Sequence, residues 1–65
     1  MKAINQLIKI YRDISNMYSE TGNEDLIDIR VGVHKSILTL CSDDSITSKQ
    51  FTQITKELSK YRNNG

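Results

Sequence analysis

The chain contains no proline and no tryptophan, one cysteine, one histidine, one phenylalanine and three glycines in 65 residues. Each scarcity excludes something. Without proline, nothing marks a cis peptide turn or a rigid linker, and the chain reads as one domain. One cysteine, Cys41, cannot form an internal disulfide, and with His34 alone beside it the chain lacks the four Cys/His ligands of a structural zinc site. A single cysteine suits a reducing, cytoplasmic setting better than a secreted one. The N-terminal apolar residues are interrupted by Lys2, Asn5, Gln6, Lys9 and Arg12, so no signal peptide is expected. No apolar run approaches the ~20 residues that cross a bilayer, and no membrane role is expected.

Charge is as sparing. The net value is +1, too small to draw the protein to nucleic acid or a lipid surface by its overall field. Its distribution is uneven. Lys2, Lys9 and Arg12 outweigh Asp13 at the start, and Lys49, Lys56, Lys60 and Arg62 outweigh Glu57 at the end. Between them, Glu20, Glu24, Asp25, Asp28, Asp43 and Asp44 outweigh Arg30 and Lys35. An acidic middle between basic ends pairs either within the fold or across a dimer. Lysine in excess of arginine, with many Ile and Asn, suggests an AT-rich genome such as that of a low-GC bacterium or its phages.

What is present is helical patterning. In the first segment Ile4, Leu7, Tyr11, Ile14 and Tyr18 recur at spacings of three and four, with Ile8 beside them. Ala3, Ile10 and Met17 widen that stripe to about half the circumference, more than one partner helix covers. Gly22 suits a helix end and Asn23 the cap of the next helix, with Glu24 and Asp25 in its first turn. Thr47 and Gln50 stand at the spacing of a capping box, and Ile46 and Phe51 at that of a hydrophobic staple, so a helix is expected from Ser48. Its stripe of Phe51, Ile54, Leu58 and Tyr61 is narrow.

The middle segment is ambiguous. Ile27 to His34 alternates apolar and polar with period two, as a strand does, and its β-branched residues favour that form. No second stretch alternates, so a strand here would find its hydrogen-bond partner only in another molecule. As a helix, Leu26, Ile29, Val33, Ile37 and Leu40 form one stripe, and Ile27, Val31 and Leu38 a second about 120° away. Helix is preferred, although Gly32 costs ~1 kcal/mol relative to alanine. Arg30, His34 and Cys41 fall between the two stripes, which predicts a helix packed by two neighbours with the polar heads at the seam. An ionic contact from Arg30 to Asp13, Glu57 or a partner's acid is one reading; an arginine snorkelling to water beside a structural histidine is the other.

Chemistry finds no foothold in the sequence. His34 lies two turns from Cys41, about 10 Å along a helix, too far to activate the thiol. No glycine-rich phosphate loop or serviceable carboxylate pair occurs. Ile46 and Gln50 match the end of an EF-hand loop, but Thr39 and Cys41 fall where carboxylates are needed and Asp44 where the glycine belongs. No catalytic residue, cofactor or metal is therefore expected.

The expected architecture is all-α: a small three-helix domain spanning 1–65, with helices over about 2–19, 24–41 and 48–62, a helical hairpin crossed by a capped third helix. Apolar surface exceeds what helix three covers, which predicts a homodimer or a docking face for a host or regulatory protein. The expected contact residues are Ile10, Met17, Ile27, Arg30, Val31, His34 and Leu38. The function expected is a non-enzymatic regulator or inhibitor acting by protein contact. The alternative is a DNA-binding regulator that uses helices two and three as a helix-turn-helix, disfavoured by the long connection, by Asp43 and Asp44 near the phosphates, and by the low net charge.

Overall fold

A computed structural model describes residues 2–43 and 45–63. It consists of α1 (Lys2–Thr21), α2 (Asp25–Asp43) and α3 (Ser48–Asn63), with no strand among the described residues. The alternating segment 27–34 is helix throughout. Its hydrogen bonds are met internally, which a lone strand could not achieve.

Local chemistry closes each turn. At the end of α1, Gly22 has φ 67°, in the left-handed region, and its N–H donates to the Tyr18 carbonyl at 2.8 Å. The Thr21 hydroxyl donates to the Met17 carbonyl at 2.8 Å, carrying α1 two residues beyond its expected end. Asn23 then caps α2, its Oδ1 accepting the Asp25 N–H at 3.0 Å. The expected capping box of α3 is reciprocal: Gln50 N–H donates to Thr47 Oγ1 at 3.1 Å, and Thr47 N–H donates to Gln50 Oε1 at 3.0 Å. Helix two persists through Ser42 and Asp43, so the break before α3 is shorter than its polar composition suggests. Asp44, named in the charge, calcium and DNA readings, lies outside the described residues, as do Asn64 and Gly65.

α1 is the organising helix: both α2 and α3 lie against it, and they approach each other little. The core comprises Ile4, Ile8 and Tyr11 of α1, Ile37 and Cys41 of α2, and Ile54 and Leu58 of α3. Leu7, Val33, Leu40, Ile46 and Tyr61 pack around it. The body is slender, 36 × 17 × 15 Å, with the α1–α2 turn at one end and the α2–α3 connection at the other. No described helix is long and apolar enough to cross a membrane.

Candidate functional site

Arg30, His34, Ile37 and Cys41 follow one another at spacings of four, three and four, a single line along α2. The line faces mainly α1, with α3 closing over its C-terminal part: Ile37 and Cys41 are buried in the core that all three helices share, Arg30 and His34 are half-buried against α1 tyrosines, and His34 and Cys41 also line clefts toward α3. The Arg30 guanidinium carbon lies 5.9 Å from the Tyr11 ring centre and 5.7 Å from that of Tyr18. His34 meets Tyr11 edge to face, with ring centres 5.9 Å apart at 85°. Tyr11 and Tyr18 are seven residues apart on α1, so two successive faces of the same stripe receive the arginine.

No intramolecular acid pairs with Arg30 among the described residues, so of the two readings the ionic contact with Asp13 or Glu57 is not made. Asp13 is instead within 3.4 Å of its chain neighbour Arg12, at the surface. The ring faces supply the negative potential that a carboxylate would have supplied. Two polar atoms in this region have no hydrogen-bond partner among the described residues: Arg30 Nη1 and Ser15 Oγ. Near His34, only a narrow cleft of about 30 Å³ remains between Tyr11, Leu58, Ser59 and Arg62.

The two stripes of α2 become the flanks of this line, and they are covered unequally. Ile29 is 52 % exposed, Val31 48 % and Leu38 40 %, whereas Leu26, Ile27, Val33 and Leu40 are half-buried. On α1, Ile10 and Met17 are each 45 % exposed. On α3, Phe51 is exposed at 42 % although it belongs to the expected core stripe. It lies over a shallow groove of about 450 Å³, whose lining includes Leu38, Cys41, Ile46 and Thr47.

The exposed side chains fall on two surfaces. Asn5, Ile8 and Arg12 of α1 line the clefts toward α3. Ile10 and Met17 point about 120–180° away from these three. On α2, Leu38 and His34 line the clefts toward α3, and Ile29 stands about 140–180° round from them. Thus Ile10, Met17 and Ile29 share the face of the hairpin turned away from α3. Ile27, Val31 and Leu38 share the α3 side of α2. The seven expected contact residues therefore do not form one patch: Arg30 and His34 stand in the helix interface, and the other five divide between two faces. Ile29 is missing from the expected set because its spacing to Leu26 and Val33 is that of a core position. Nothing in the periodicity signals its exposure; the angular reach of α1 does.

No group of three or more His, Cys, Asp or Glu side chains among the described residues is placed to hold a metal ion. No protein-family model, curated protein or solved structure matches this chain.

Proposed function

We propose that this protein is a small, non-enzymatic regulator or inhibitor of bacterial or bacteriophage origin, acting in the cytoplasm by protein contact and self-associating through α1 and α2. The observation that carries this reading is the set of five large aliphatic side chains left exposed on those two helices: Ile10, Met17, Ile29, Val31 and Leu38. A chain of this length buries only ~60% of its unfolded surface, and leaving such groups in water forgoes roughly 25 cal/mol per Å². Contact with another protein recovers that free energy. The bacterial or phage origin rests on composition alone. The lone buried thiol of Cys41 supports the cytoplasmic setting.

The DNA-binding alternative needs α2 and α3 to pack as a tight pair so that α3 is presented to the major groove. Here the two helices approach each other little, and α3 rests on α1 instead.

The test is affinity capture from a bacterial lysate with the full chain as bait, alongside a Val31→Glu/Leu38→Glu double variant, with bound proteins identified by mass spectrometry. A protein held by the parent chain and lost by the variant supports the reading. Equal recoveries from both baits, combined with a shifted duplex in a low-salt mobility assay, would turn it toward nucleic acid.

A further inference from the structure

We infer that the face of the α1–α2 hairpin turned away from α3 is where this chain binds a second copy of itself, antiparallel and about a two-fold axis; this rests on the self-association proposed above and assigns its face and direction. Three observations converge on that face.

The first is what it exposes. Ile10, Met17 and Ile29 project from it, with Leu7, Val33 and Leu40 half-buried beneath them against the core. The patch is therefore continuous with packed apolar groups rather than a scatter of isolated side chains. A standard interface removes ~800 Å² per partner, under a fifth of the 4504 Å² surface of this chain.

The second is charge, which names the occupant. Glu20, Glu24, Asp25 and Asp28 cluster around the α1–α2 turn, and none forms an ion pair among the described residues. Toward the opposite end of the body Lys2 of α1 and Lys49 of α3 stand beside Asp43, with Lys9 of α1 and with Lys56 and Glu57 of α3 further in, again with no ion pair among the described residues. The charge segregation seen in the sequence is thus not neutralised by folding. It remains as an acidic tip and a basic tail on a body 36 Å long. A second copy carries the complement of both ends. Antiparallel pairing sets each acidic turn against the other copy's basic tail, whereas parallel pairing sets acid against acid.

The third is shape. Ala3, Ile10 and Met17 repeat at intervals of seven, so they form one straight stripe on α1 that grades from a small side chain at the basic end to a large one at the acidic end. Reversing one copy sets Met17 against Ala3 at both ends and Ile10 against Ile10 at the centre. Two copies in parallel would set Met17 against Met17 and leave a gap at Ala3.

Sedimentation velocity on the full chain tests this, with circular dichroism confirming that each variant retains its helix. The parent chain is expected to dimerise at tens of micromolar concentration in ~50 mM salt and to weaken at ~500 mM. Ile10→Glu, and independently Met17→Arg, should each raise the dissociation constant about tenfold or more. Val31→Glu, on the α3 side, should leave it unchanged. Glu20→Lys should weaken association at low salt, Lys2→Glu should do likewise, and the two together should restore it. A parent chain that stays monomeric overturns the proposal, as does loss of the dimer in Val31→Glu but not in Ile10→Glu, or a double charge variant weaker than either single one. A monomer that still captures a protein from lysate overturns this inference and the self-association proposed above, and leaves standing only a regulator that acts by contact with another protein.

Discussion

The Arg30 guanidinium carbon stands 5.7 Å from the centre of the Tyr18 ring, so the only arginine of α2 is held at the helix interface by an aromatic face and not by a carboxylate. Tyr11 receives the same group at 5.9 Å from two turns earlier on the same stripe. A half-buried cation over aromatic rings gains between ~0.5 and ~2 kcal/mol, to which the packing of its methylene stem adds.

Arg30→Ala should therefore lower unfolding stability by about 2 kcal/mol. Arg30→Met should lose much less, because it keeps the stem and removes the partnerless Nη1. Urea titration of both variants checks the pair. Equal losses would mean that the stem and its packing are unimportant.

Ser15 is buried at 1 % exposure beside the Tyr11 turn, and its hydroxyl has no hydrogen-bond partner among the described residues. Burying such a group unpaired costs roughly 1–3 kcal/mol, and alanine is also the better helix former. Ser15→Ala should raise stability by about 1 kcal/mol. A fall in the thermal midpoint would show that the hydroxyl has a partner after all.

Gly22 and Gly32 should respond to alanine in opposite directions. Neither would bring a new Cβ within 4 Å of another atom, so steric space does not distinguish them. Backbone conformation does. At Gly22 φ is +67°, and alanine there should cost about 1 kcal/mol. Gly32 lies within α2, where alanine should add about 0.5–1 kcal/mol. Denaturant midpoints of the two variants, measured side by side, give the sign directly.

Thr47→Ala removes the hydroxyl that accepts the Gln50 N–H and should cost about 1 kcal/mol. Gln50→Ala removes the reciprocal bond to the Thr47 N–H, and the double variant should lose less than the sum of the two because the bonds form one reciprocal unit. Amide exchange should accelerate first in the opening turn of α3, at residues 48–51, which a purely global destabilisation would not produce.

Much of this architecture is written in short-range chemistry. The three helices, the reciprocal box of Thr47 and Gln50, the left-handed Gly22 followed by the Asn23 cap, and the α1 stripe through Ile4, Tyr11 and Ile14 all depend on residues within a few positions of one another. Their partners are adjacent in the chain, so spacing alone specifies them. The alternation of Ile27 to His34 also resolves locally, because no second strand exists among the described residues to pair with it. Spacing could not say which line of α2, apolar over most of its circumference, turns toward α1. A neighbouring helix covers only part of that circumference. The choice fell on the Arg30–His34–Ile37–Cys41 line because Tyr11 and Tyr18, remote in sequence, present ring faces that accept a guanidinium and an imidazole. Once that line was turned inward, Ile29 was left in water on one flank, and Val31 and Leu38 on the other. Folding also left the acidic turn and the basic tail at opposite ends of a slender body, out of each other's reach, since oppositely charged groups 30 Å or so apart are screened from one another in water.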